Sequence, residues 1–89
     1  MSKVFIALQT NDDTRPIIES ILADNPHAVP VESPAMIKID AEGHLTVKRA
    51  SVSELIGRDF DLQELHTHLI SLSGHIDESD DEFTLHWDN

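Results

Sequence analysis

Five consecutive apolar residues, Val4-Phe5-Ile6-Ala7-Leu8, predict a buried first strand, and the polar stretch Gln9-Thr10-Asn11-Asp12-Asp13 predicts the loop that leaves it. The period then changes. Ile17, Ile18, Ile21 and Leu22 recur at i, i+1, i+4 and i+5, which is one face of a helix. Asp13 or Thr14 can cap that helix, and Pro16 fits its first turn, where a missing N–H costs nothing. Asp24-Asn25-Pro26 ends it. Ala28 to Glu32 and Ala35 to Asp40 have the character of short strands, and Pro30 and Pro34 assign the first of them to a sheet edge. In the second, Ile37 and Ile39 alternate with Met36, Lys38 and Asp40. After the turn Ala41-Glu42-Gly43-His44, Leu45 and Val47 alternate with Thr46 and Lys48, so these two strands are expected to form a hairpin.

Two short helices follow. Ser51-x-x-Glu54 has the form of a capping box, with Leu55 and Ile56 as the apolar side and Gly57 as the stop. Asp61-x-x-Glu64 resembles a second box ahead of the stripe Leu62, Leu65 and Leu69. Ile70 to Ser73 can form a strand that breaks at Gly74. Beyond the acidic run Asp77 to Glu82, Phe83, Leu85 and Trp87 alternate with Thr84, His86 and Asp88, the pattern of a strand with one buried face. The order β-α-β-β-β-α-α-β-β predicts an α+β fold, a single domain over 1–89 with a mixed or antiparallel sheet of about six strands and about three helices. There is no internal repeat and no linker that would divide the chain.

Charge narrows the function. Seventeen acidic residues against six basic ones leave a formal charge of −11 on 89 residues, which disfavours phosphate backbones and anionic lipid and favours basic protein surfaces. Lys48-Arg49 is the only basic pair, so neither nucleic acid nor membrane is expected as a partner. The hydrophobic share of 39% suffices for a modest core and is too high for an acidic disordered tail. The absence of cysteine excludes disulfides and thiolate metal sites, and suits a reducing compartment. The apolar run at the N-terminus is too short for a signal peptide or a membrane span, so a soluble cytoplasmic protein is expected.

Candidate chemistry is sparse. His66 and His68 stand two apart, which splays them on a helix, whereas helical metal pairs sit at i, i+3 or i, i+4. His27, His44, His75 and His86 belong to separate elements. The run from Asp77 to Glu82 lacks the alternation, the mid-loop glycine and the twelfth-position glutamate of a calcium loop; it fits a solvated hairpin tip or an electrostatic docking surface. Asp12-Asp13 has no nucleophile beside it and fits a helix N-terminus. Gly43, Gly57 and Gly74 are too dispersed for a phosphate loop, and Ser71 and Ser73 have no elbow motif around them. No metal, cofactor or catalytic residue is expected. Ile70-Ser71-Leu72-Ser73-Gly74-His75 is different: its small side chains would let a partner's backbone approach closely, although a plain strand end explains it equally well.

Across nearly its whole length the chain resembles the small regulatory (effector or coupling) proteins of bacterial multicomponent diiron monooxygenases, most of all the phenol hydroxylase subgroup. The resemblance is carried by Phe5-Ile6-Ala7-Leu8-Gln9 with Asn11-Asp12, by Asp24-Asn25-Pro26-His27-Ala28-Val29, by Pro34-Ala35-Met36-Ile37, by Glu54-Leu55-Ile56-Gly57-Arg58 with Phe60, and by the strands Ile70 to Gly74 and Phe83 to Trp87. The chain lacks the long N-terminal tail of the methane monooxygenase relatives, and His66, His68, His75 and His86 are not part of the family pattern. The resemblance implies a protein without cofactor or active site. It implies that the chain binds the diiron hydroxylase component and tunes oxygen activation, substrate access and the coupling of NADH oxidation to hydroxylation, with an NADH-dependent reductase as functional partner. It further implies that Ser71, Leu72, Ser73 and Gly74 face the hydroxylase, with Asp77 and Asp80 at the rim. Asn11 and Arg15, at the head of the first helix, form a second candidate contact. A small acidic metabolite-sensing or protein-binding domain unrelated to oxygenases is the alternative.

Overall fold

The computed structural model describes residues 3–87. Its elements are β1 (Lys3–Gln9), α1 (Arg15–Asp24), β2 (Val29–Ser33), β3 (Met36–Glu42), β4 (His44–Lys48), α2 (Arg49–Ile56), α3 (Gln63–His68), β5 (Leu69–Ser73), β6 (His75–Glu78) and β7 (Glu82–His86). The α+β expectation holds, but the strands divide into two antiparallel sheets, β2-β3-β1-β5 and β4-β7-β6. The extra strand, β6, begins in His75-Ile76 and runs into the acidic stretch. Its pairing with β7 leaves only Ser79 to Asp81 as the solvated tip, where the Ser79 N–H donates to the Glu82 carbonyl at 2.8 Å.

The expected β3–β4 hairpin does not form. Both edges of β3 are already occupied, by β1 over the whole of Lys3–Gln9 and by β2 over Val29–Ser33, so β4 has no free edge to join. Gly43, at φ +84° in the left-handed region, turns the chain into the second sheet instead. There β4 pairs with β7, setting Leu45 against Leu85 and Val47 against Phe83. Pro30 does lie on an edge strand, as its missing N–H requires.

The inner faces of both sheets meet the helices in one core. Val4, Ile6 and Leu8 of β1, Ile37, Ile39 and Ala41 of β3, and Leu45, Val47, Phe83 and Leu85 of the second sheet are buried. Ile17, Ile18 and Ile21 of α1, Val52 of α2, Leu65 of α3 and the loop residues Phe60 and Leu62 close it. Leu55, expected on the apolar side of α2, is instead half exposed, because Val52 is the residue that points inward. Trp87, just past β7, is 37% exposed rather than buried, and its indole N–H donates to the Lys3 carbonyl at 2.8 Å. Asp88, the last polar position of the β7 alternation, lies outside the described residues.

The helix starts separate the two proposed capping boxes. Asp61 and Glu64 form theirs: the Asp61 N–H donates to Glu64 Oε2 at 3.1 Å, and Asp61 Oδ1 accepts from the Gln63 N–H at 2.9 Å. Ser51 does not, because β4 runs straight into α2 and places Ser51 inside the helix. The Arg49 N–H is satisfied instead by the Asp81 carbonyl at 2.8 Å. Gly57 ends α2 in the left-handed conformation, as expected. Ahead of α1, Thr14 stands at the N-cap position as expected but makes no side-chain cap bond, and the turn before it is held by Asn11. Its Oδ1 accepts from the N–H groups of Asp13 and Thr14, and Thr14 Oγ1 reciprocates by accepting the Asn11 N–H.

Asn25 joins the two halves of the fold. Buried at the end of α1, it donates through Nδ2 to the carbonyls of Ile21 and Thr46, both at 2.7 Å, while its Oδ1 accepts the Thr46 N–H at 3.0 Å. One amide thereby closes the helix and pairs with the edge of β4 as a neighbouring strand would.

Candidate interaction surface

The register of the four-stranded sheet determines which side chains share its outer face. Residues directly opposite one another point the same way. One row across the sheet is therefore Val29, Asp40, Phe5 and Ser73, and the next is Val31, Lys38, Ala7 and Ser71. Val29 and Val31 are exposed on this face, and the Lys38 ammonium lies 4.5 Å from the centre of the Phe5 ring and 3.5 Å from the Asp40 carboxylate. Ala7 is buried beneath its neighbours, so the exposed part of this face is valine, serine and the Lys38–Asp40 pair, with Lys3 and Glu42 in the next row adding one charge of each sign. Phe5 and Ala7 were hidden in sequence because they sit in an unbroken apolar run; only the strand partners reveal which members of that run point outward.

β5 is the edge strand of this sheet, with Ser71 exposed and Leu72 and Ser73 half-buried. Ser71 opposes Ala7 while Leu69 opposes Leu8, so Ile70 is left as an extra, bulged residue and is half exposed. Gly74 has a different role from its small neighbours. It adopts φ +132°, and a Cβ placed there would lie 2.9 Å from Cγ1 of the buried Val4. Glycine at this corner is required by the core beneath it.

The candidate residues do not form one cluster. Ser71 and Ser73 share the outer face, Gly74 is the corner, and Asp77 lies on the outer face of the second sheet opposite Thr84. Asp80 is in the tip beyond β6, whose four residues span about 13 Å at ~3.3 Å per residue, in a hollow shared with Arg49, Asp59, Phe60 and Asp61. Asn11 is engaged in the turn before α1, and Arg15 beside it makes a loose 3.8 Å pair with Asp12.

A cleft of about 360 Å3 runs between the head of α1 and the α2–α3 connection, lined by Asp12, Asp13, Pro16, Arg58, Phe60, Glu64 and His68, among others. Arg58 holds Glu64 in a two-pronged pair at 3.0 and 2.8 Å. That hydrogen bond, supported by the Asp61 N–H, lowers the Glu64 carboxyl to about 2 and raises the Arg58 guanidinium. The sequence placed Arg58 in a matched stretch without indicating this contact. No helix among the described residues is long and apolar enough to cross a membrane.

The sequence matches the model of the MmoB/DmpM family over residues 2–86. It is 48% identical over 88 residues to the stimulatory component DmpM of phenol 2-monooxygenase from Pseudomonas sp. (strain CF600), a match covering 99% of this chain and 98% of that one. The fold superimposes with a TM-score of 0.94, at 45% identity, on a chain of a phenol hydroxylase–regulatory protein complex, covering 98% of this chain and 100% of the other. It also superimposes on regulatory protein B of soluble methane monooxygenase with a TM-score of 0.76 at 25% identity, covering 97% of this chain but 65% of that longer one.

Proposed function

Because the chain belongs to the MmoB/DmpM family, we propose that it is the regulatory component of a phenol-type multicomponent monooxygenase, a non-catalytic subunit that stimulates turnover by docking on the hydroxylase. The observation that carries this reading is the near-full-length likeness, in sequence and in fold, to a stimulatory component and to a chain of a hydroxylase–regulatory protein complex. The diiron centre and the substrate pocket belong to the hydroxylase, and the NADH-dependent reductase delivers electrons to it. This chain alters the hydroxylase by contact, tuning oxygen activation, substrate access and coupling.

The docking contact is centred on Ser71 to Gly74. An edge strand carrying serines on an open, weakly charged face suits close approach of another backbone, and the bulge at Ile70 supplies an apolar projection beside it. Burying such a surface gains apolar contact without stranding charges, since Lys38 and Asp40 already compensate one another. The surrounding excess of negative charge contributes mainly to the encounter rate.

Turnover in a reconstituted system tests the proposal. Phenol hydroxylase and its reductase should consume NADH and hydroxylate substrate faster when the chain is added, saturating with its concentration, whereas the chain alone turns nothing over. No stimulation at saturating concentration would refute the functional reading. Ser71→Trp tests the surface separately. Its side chain is exposed, so the fold should persist, while stimulation at limiting concentration drops at least tenfold. Undiminished stimulation by this variant would move the contact to the head of α1, at Asn11 and Arg15.

A further inference from the structure

We infer, on the reading that β5 docks on the hydroxylase, that His66 and Glu78 form a clamp holding that strand in position, with His66 acting through the strand as a positioning residue. β5 is lightly anchored for an element with such a task. It pairs with β1 alone and carries the bulge at Ile70. The helix that leads into it, α3, has six residues, of which only Leu65 is buried. Beyond Gly74 the chain continues as β6, an outer strand of the second sheet, none of whose four residues enters the core.

His66 and Glu78 stand twelve positions apart, one on either side of β5. His66 Nε2 lies 3.3 Å from Oε1 and 3.2 Å from Oε2 of Glu78. Carboxylate oxygens accept, so Nε2 is the donor whether or not the other ring nitrogen also carries a proton. Both partners are aimed by the second sheet. Glu78 is opposite Phe83 in the β6–β7 pairing, so the two side chains point the same way. The His66 ring meets the buried Phe83 ring edge-on, with ring centres 5.8 Å apart and planes at 76°. The histidine and glutamate side chains are 37% and 25% exposed, so water screens the pair only in part. Among the described residues it is the only ion pair that joins α3 to the second sheet. His68 of the same helix lines the cleft at the head of α1 instead. The His66–Glu78 bond thereby closes a loop with Ser71 to Gly74 at its middle, along a path that does not run through β1. Fixing both ends of the segment removes freedom that β5 would otherwise lose on docking.

Two measurements read the clamp: amide exchange in the isolated chain, and the concentration of chain that gives half-maximal stimulation of phenol hydroxylase and its reductase. His66→Ala and Glu78→Ala should each speed exchange of the β5 amides relative to those of β3. Each should also raise the half-saturating concentration roughly two- to fivefold, the scale of a partly exposed ion pair, with maximal stimulation kept. The double variant should be no worse than the poorer single one, because the two side chains act as a unit. His66→Gln, whose amide nitrogen can donate from nearly the same place, should recover most of the loss. The clamp is overturned by unchanged β5 exchange in both single variants, by a double variant whose shift is the product of the single shifts, or by a His66→Gln variant no better than His66→Ala. A wild-type chain that gives no stimulation would instead refute the docking reading, and exchange in the isolated chain would still decide whether the pair holds β5.

Discussion

Replacing Asn25 with alanine removes one amide and three hydrogen bonds, to the Ile21 carbonyl, the Thr46 carbonyl and the Thr46 N–H. At a net value of about 1 kcal/mol each, the loss is ~3 kcal/mol. The Thr46 groups then face a cavity in place of the amide. An unsatisfied buried group costs ~1–3 kcal/mol, offset here in part because Thr46 is only half-buried and water can reach it. A loss of about 3–4 kcal/mol is expected, a large part of the ~5–15 kcal/mol that stabilises a domain of this kind. In a domain of this size 1 kcal/mol moves the midpoint by ~4–8 °C, so thermal unfolding followed by circular dichroism should fall by about 12 °C or more. Amide exchange supplies the local readout: protection of the Thr46 N–H should collapse before that of β1.

Asn25→Asp sharpens the test. It retains an acceptor for the Thr46 N–H but replaces the Nδ2 donor with a carboxylate oxygen that faces two carbonyls. Protonating that carboxyl restores one donor. Measured against wild type at the same pH, Asn25→Asp should therefore be less destabilised near pH 4 than at pH 7. A penalty below 0.5 kcal/mol for Asn25→Ala, or an Asn25→Asp deficit that does not change with pH, would refute the idea that this amide joins α1 to the second sheet.

Gly74→Ala should cost about 1–3 kcal/mol from positive-φ strain together with the contact on Val4, read as a lower urea midpoint; an unchanged midpoint would mean the corner can relax. Ser53→Ala should cost ~1–2 kcal/mol, because Ser53 Oγ donates to the Arg49 carbonyl and accepts the Phe60 N–H. Ser51→Ala, inside the helix, should stay within ~0.5 kcal/mol of wild type, and the reverse ranking in denaturant titrations would contradict the α2 boundary. Glu64 has its carboxyl lowered from 4.5 to about 2, chiefly by the Arg58 hydrogen bond. A depressed folded pKa contributes stability that is complete above the unfolded value and lost as pH falls through the folded one. The advantage of wild type over Glu64→Gln should therefore be present at pH 6 and fade between about 4.5 and 2. It should stay below ~1 kcal/mol because the pair is exposed and screened; a difference that persists unchanged at pH 2 would exclude the pair as its source.

The local patterns in the sequence determined which stretches are helix and which are strand wherever one face had to be buried. The run Val4 to Leu8, the isoleucine face of α1 and the Phe83–Leu85 alternation all occur where expected, because apolar period is a local record of burial. The Asp61–Glu64 box and the Gly57 stop were legible for the same reason: their partners lie within four residues. The likeness to regulatory proteins was legible too, since it is a property of the residues in order. Which strands meet was decided only in three dimensions. Pairing depends on which edges remain free, and β1 and β2 occupy both edges of β3, leaving none for β4. Ser51 had the right spacing but the wrong place, because β4 enters α2 directly and the tip at Asp81 satisfies its first N–H. Asn25 and Gly74 acquire their roles from partners 21 and 70 positions away. A polar or small residue has the same local signature whether it faces water or a distant carbonyl, and only the packing of the two sheets separates those cases.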